Sequence, residues 1–125
     1  MCDTFTGREK PFSEENILVI STGPLTGTGA PSSSRFNIST LSPQTGITTS
    51  SNSGGRFGYY LKKAGFDALI IRGKCSEPSW LEINNDSFIL HEAGELWGMK
   101  TDEVQEALKE KHRLRIGRAS CRERV

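Results

Sequence analysis

Apolar residues in this chain come in short bursts punctuated by glycine, proline and small polar residues. Ile17-Leu18-Val19-Ile20 is a continuous apolar run between turn signals, the pattern of a strand buried on both faces. Leu69-Ile70-Ile71, inside the segment Phe66 to Gly73, repeats that pattern. These two runs are expected to be the most buried strands, because neither alternates in polarity. Arg35-Phe36-Asn37-Ile38-Ser39-Thr40 does alternate, which predicts a half-buried strand with Phe36, Ile38 and Thr40 on one face and Arg35, Asn37 and Ser39 on the other. Phe57, Tyr60, Leu61 and Ala64 follow helical spacing, so a helix is predicted from Phe57 to Ala64. Lys62 and Lys63 suit the negative end of its dipole, and Gly65 is its stop. Trp80 to Ile83 and Phe88 to His91 flank the polar residues Asn84-Asn85-Asp86-Ser87, a hairpin with a four-residue turn. Thr101 is the N-cap of a second helix running to Lys111, with Asp102 and Glu103 in its first turn and Val104, Ala107 and Leu108 as its apolar stripe. Trp97 reads as a core or interface residue. Together these elements predict an α+β fold, mixed or antiparallel β-sheets with a few helices.

The segments between the elements carry the chemistry. Thr22 to Pro31 holds two prolines and three glycines, which forbid regular structure and favour tight turns. Ser42-Pro43-Gln44-Thr45-Gly46 is a further turn, and Ile47-Thr48-Thr49 leads from it into Ser50-Ser51-Asn52-Ser53-Gly54-Gly55-Arg56-Phe57-Gly58. That last stretch reads as a cradle. Its glycines let a ligand approach the main chain, and its closely spaced N–H groups and short polar side chains suit phosphate or a hard cation. A plain loop is the competing reading. Arg35, at the mouth of the first glycine-rich segment, has the right chemistry to clamp a phosphate bidentately, against the alternative of simple solvent exposure.

Composition narrows the class without adding a site. A chain of 125 residues, 34% hydrophobic and 25% charged, has room for one soluble globular domain. No apolar run approaches membrane-spanning length, and the polar start is no signal peptide, so a cytoplasmic protein with no membrane partner is expected. The net charge of +1 is too small for a nucleic-acid surface. Three arginines and one glutamate in 116–125 place +2 in the tail, leaving −1 on 1–115. Cys2, Cys75 and Cys121 are too widely spaced for a disulfide framework, a zinc site or a self-contained iron–sulfur site. His91 and His112 are distant in sequence with no evident carboxylate partner, and both read as structural or solvated. There is no complete P-loop, no strict G-x-G-x-x-G and no H-E-x-x-H, and no catalytic residue is assigned.

Several uncommon motifs in one order resemble the N-terminal domain of the aldehyde ferredoxin oxidoreductase family. They are the run Glu15 to Pro31, then Arg35-Phe36-Asn37, Ser42 to Gly46, Asn52-Ser53-Gly54-Gly55 and Gly65-Phe66-Asp67-Ala68. Gly73-Lys74, Pro78-Ser79-Trp80 and Leu96-Trp97-Gly98 continue the likeness, which spans Pro11 to Leu108. The resemblance implies an enzyme that oxidises aldehydes to carboxylic acids on tungsten or molybdenum held by two pterins. Electrons would pass through a [4Fe-4S] cluster to ferredoxin, and the full-length form would be a homo-oligomer. This domain would be the base on which the bis-pterin sits. Carried over by position, Arg35 would contact the pterin or its phosphate, and Asn52 would contact the cofactor and help hold the magnesium that bridges the pterin phosphates. Gly54 would give close backbone approach.

The cluster-binding cysteines and the substrate pocket of such enzymes have no match here, so their ligands are expected outside this chain and the piece alone is expected to be inactive. The domain is expected over 11–115, as a partial copy without the family's opening strands. Residues 1–10 read as an irregular, non-native start, and 116–125 resemble one reading frame of a sequencing adapter. Two other functions compete: a cofactor-binding or scaffold module without chemistry of its own, and a fragment of a related aromatic-ring reductase subunit.

Overall fold

A computed structural model describes residues 10–85 and 87–112, with the side chains of 111 and 112 excepted. Of the irregular start over 1–10 only Lys10 is described, and the tail over 116–125 lies outside the described residues, as do Cys2 and Cys121 and the side chain of His112. The elements follow in the order β1 (Ile17–Thr22), β2 (Phe36–Leu41), β3 (Thr48–Ser53), α1 (Phe57–Lys63), β4 (Ala68–Arg72), β5 (Ser79–Asn84), β6 (Ser87–Glu92) and α2 (Thr101–His112), with a short 3-10 helix at Gly94–Leu96. Strands β3-β2-β1-β4 form a four-stranded sheet, and β5-β6 a two-stranded one. The fold is α+β as expected, and every described strand pair is antiparallel.

Register divides the large sheet into two faces. Ile20 pairs with Ile38 and with Leu69, and Thr22 with Phe36, so these residues share one face by the period of two. Helix α1 lies on that side. Buried Ile20, Phe36 and Leu61 form its centre, with Ile38, Phe57, Phe66, Leu69 and the hairpin residue Ile83 packed around them. Phe57 contributes a tilted ring contact to Phe36 at 5.0 Å. The helix ends where the sequence predicts. Gly65, at φ 94, follows the cap residue Ala64, its N–H donates to the Lys62 carbonyl, and the Phe66 N–H donates to the Leu61 carbonyl. Those two bonds satisfy carbonyls that the helix end would leave orphaned, and the positive φ explains why glycine stands there.

Three expectations are corrected. Strand β4 forms, but it is not among the most buried: Leu69 is half-buried, Ile70 is 57% exposed and Ile71 38%. The cause is position, since β4 is an edge of the sheet and the face bearing Ile70 lies away from α1. An apolar run suits a strand covered on both faces; at this edge neither Ile70 nor Ile71 is covered, although Ile17, Ser39 and Leu41 on the Ile70 face are buried further into the sheet. Second, Ser50 to Ser53 do not lie in a loop; they belong to β3, the opposite edge strand, exposed along its whole length. The polar composition that suggests a loop also suits a solvent-facing edge. Third, Asn84 pairs with Ser87, so the β5-β6 hairpin turns in two residues rather than four, with Asn85 at φ 47. Asparagine tolerates that conformation. Trp97, 73% exposed, is not a core residue.

Candidate cofactor-binding site

The buried side chain in the glycine-rich segment between β1 and β2 is Thr26, which is 2% exposed. Its hydroxyl accepts a hydrogen bond from the Gly23 N–H at 3.1 Å and faces the carbonyl oxygens of Ser33 at 2.9 Å and Arg35 at 3.3 Å. Gly27, at φ 83, and Thr28, which bonds the Leu25 carbonyl, complete the turn. An apparent linker is therefore an ordered loop, and it ends by fixing the backbone of Arg35 at the entrance to β2. Sequence reading misses Thr26, because a threonine in a glycine- and proline-rich loop gives no local sign of burial.

Strands β2 and β3 pair from Phe36↔Ser53 to Leu41↔Thr48. Arg35 and Gly54 stand one residue beyond the first of these pairs, and Asn37↔Asn52 is the next pair along. Register thus gathers all three sequence-predicted site residues at one end of one two-stranded ribbon. Asn37 and Asn52 occupy the face opposite α1, since Phe36 and Ile38 point to the helix side.

This end of the ribbon fits an anionic cofactor. Arg35 is exposed and makes no ion pair with any described residue, which leaves its five donors for a phosphate. A Cβ placed on Gly54 or Gly55 would meet nothing within 4 Å, so the space over this corner is open. Gly55 is at φ 105 and requires glycine for its backbone; Gly54 does not, and its value would lie in what approaches it. Asn52 is exposed and its Oδ1 accepts from Asn37 Nδ2 at 3.2 Å, keeping a second lone pair and the main-chain carbonyl as hard oxygen donors. Gly58, buried in α1, makes the close packing of the corner: a Cβ there would lie 3.4 Å from the Thr26 methyl and 3.5 Å from the Arg35 carbonyl oxygen.

Other candidate groups stand apart. His91 has a carboxylate partner that sequence distance hides: its Nε2 lies 2.8 Å from Glu82 Oε2 on the facing strand, and its ring stacks on Trp80 at 4.3 Å. Both contacts belong to the hairpin and give His91 a structural role. Cys75 is exposed, and among the described residues no group of His, Cys, Asp and Glu is arranged to hold a metal. Lys62 is paired with Asp67 across the end of α1.

Comparison with known proteins identifies the family. The family model for the aldehyde ferredoxin oxidoreductase N-terminal domain matches residues 1–123. A tungsten-containing aldehyde ferredoxin oxidoreductase of Pyrococcus abyssi is 48% identical over 100 residues, covering 80% of this chain and 16% of its own length. The enzyme of the same description from Pyrococcus horikoshii is 46% identical over the same shares. Among solved structures, the BamBC active-site complex of benzoyl coenzyme A reductase with 1,5-dienoyl-CoA superposes with a TM-score of 0.84 at 39% identity, over 88% of this chain and 17% of that one. The chain thus spans about a sixth of the relatives it matches. It belongs to the aldehyde ferredoxin oxidoreductase family, in the region of that family's N-terminal domain.

Proposed function

We propose that this chain is the cofactor-seating N-terminal part of a tungsten- or molybdenum-bis-pterin oxidoreductase that oxidises aldehydes to carboxylic acids, with ferredoxin as electron acceptor. The observation that carries the reading is the β2–β3 register, which brings Arg35, Asn52 and Gly54 to one open corner of the sheet. Arg35 would supply a cation toward a pterin phosphate, Asn52 an oxygen toward a magnesium ion, and Gly54 a backbone without a Cβ where the ligand would pack. Conversion of an aldehyde and water to a carboxylic acid releases two electrons and two protons, and the metal centre supplies the two-electron redox chemistry. A [4Fe-4S] cluster, with ligands elsewhere in the protein, would supply the one-electron transfer toward ferredoxin. The reading includes a cytoplasmic location and a homo-oligomeric full-length enzyme; among the described residues no helix is long and apolar enough to cross a membrane.

Metal and pterin content per folded protein tests the seat, measured on the intact enzyme that carries this domain. Arg35→Ala and Asn52→Ala each remove a contact to a charged group worth about 1.5–3 kcal/mol, or about ten- to hundredfold in retention. Gly54→Val acts by steric exclusion, and Lys109→Ala on exposed α2 is the control. Full occupancy in all three site variants overturns the assignment.

The likeness to BamBC favours a second reading, in which the same seat serves an aromatic-ring reductase subunit. Aldehyde-dependent ferredoxin reduction by the purified enzyme supports the first; electron transfer to an aryl-CoA thioester, without aldehyde oxidation, supports the second.

A further inference from the structure

Resting on the reading of Asn52 as a cofactor contact, we infer that Asn37 is a positioning residue that orients the Asn52 side chain. The geometry is a short relay across the β2–β3 ribbon. Ser39, 7% exposed, donates its hydroxyl to Asn37 Oδ1 at 2.7 Å. Asn37, half-buried, then donates Nδ2 to Oδ1 of exposed Asn52 at 3.2 Å. The polarity of the relay starts at a buried hydroxyl and ends at the site.

An asparagine amide presents chemically opposite ends, an acceptor oxygen and a two-hydrogen donor, exchanged by half a turn of χ2. On an exposed edge strand nothing in Asn52's own backbone selects between them. Asn37 supplies the selection: its Nδ2 faces Asn52 while its oxygen accepts from the Ser39 hydroxyl, and this arrangement holds the Asn52 oxygen inward along the ribbon. One lone pair of that oxygen then remains for a hard cation, while both Nδ2 hydrogens remain for phosphate oxygens. A site held by a supporting hydrogen bond loses less entropy on binding than one held by a free rotor.

The test is a double-mutant cycle in the intact enzyme, read as tungsten or molybdenum and pterin per folded protein, with unfolding midpoints alongside. Asn37→Asp keeps the shape and the acceptor but loses the donor; Asn37→Ser draws its donor back out of reach of Asn52 without adding charge and is carried in parallel, so that failure of one variant to fold leaves the other. Either variant is expected to lower occupancy by about two- to tenfold in the parent, and to cause no further loss when Asn52 is already alanine. The midpoint is expected to stay in place in Asn37→Asp, which keeps the acceptor for the Ser39 hydroxyl. Equal losses in both backgrounds overturn the inference, as does full occupancy in Asn37→Ser while Asn52→Ala loses cofactor; in that last case the assignment of Asn52 survives. Full occupancy in Asn52→Ala removes the assignment of Asn52 and the relay with it.

Discussion

The Thr26 hydroxyl sits 3.3 Å from the carbonyl oxygen of Arg35, and its methyl group faces Gly58 of the first helix. One buried side chain therefore ties the glycine-rich loop, the start of β2 and the helix to each other. Thr26→Val keeps the shape and deletes the hydroxyl, leaving the Gly23 N–H and the Ser33 carbonyl without that partner. A loss of about 1–3 kcal/mol is expected in denaturant unfolding, with Thr26→Ser closer to the parent. Equal stability of the valine variant and the parent contradicts this account of the loop.

Gly54 and Gly55 are adjacent and should behave differently. Alanine at Gly55 must adopt φ 105, at a cost of about 1–3 kcal/mol. Alanine at Gly54 meets open space, so stability is expected to stay within about 1 kcal/mol of the parent. Unfolding curves of the two variants separate the conformational demand from the ligand demand: cofactor loss in Gly54→Ala has to come from the ligand side.

Burial differs across the β1–β4 pair that Ile20 and Leu69 make. Ile20→Ala removes a core side chain, 7% exposed, and is expected to cost about 2–5 kcal/mol. Ile70→Thr, at a position 57% exposed, should change stability by only about 0.5 kcal/mol. A comparable loss at Ile70 in the 125-residue chain shows that this face is covered.

Trp80 and His91 stack with 14° between ring planes, and Glu82 bonds the same imidazole. A double-mutant cycle on Trp80 and His91 is expected to give a coupling of about 0.5–1.5 kcal/mol in stability. Cofactor content of the intact enzyme should be unchanged by His91→Ala; a selective loss of cofactor there contradicts the structural role.

How much of this was legible in the chain depends on the range of the signal. The helix at Phe57 announces itself through the spacing of Phe57, Tyr60 and Leu61 and through Gly65, all local features. The α+β class follows from the apolar bursts. Position within the sheet does not, because Ile17–Ile20 and Leu69–Ile71 look alike in sequence and differ only in having neighbours on two sides or one. For the candidate site, Arg35, Asn52 and Gly54 are singled out by motif, while their gathering at one corner is a matter of register. Thr26, Asn37 and the Glu82 partner of His91 were not identifiable, since each role depends on a contact between residues that no local pattern links.

The sheet also has a history in time. Strands β1, β2 and β3 follow one another as neighbours in both sequence and space, but β4 returns to the far side of β1, joining position 17 to position 72. Closing so wide a loop costs chain entropy before any contact repays it, whereas the β2–β3 ribbon needs only a short turn held by Ser42 and Gly46. The corner bearing Arg35, Asn37 and Asn52 is therefore expected to be assembled before the sheet is complete, with protection of the β2–β3 amides preceding that of β4 in pulse-labelled hydrogen exchange. On that order of events, a nascent chain has its Arg35–Asn52 corner in place while its apolar edge is still seeking a partner.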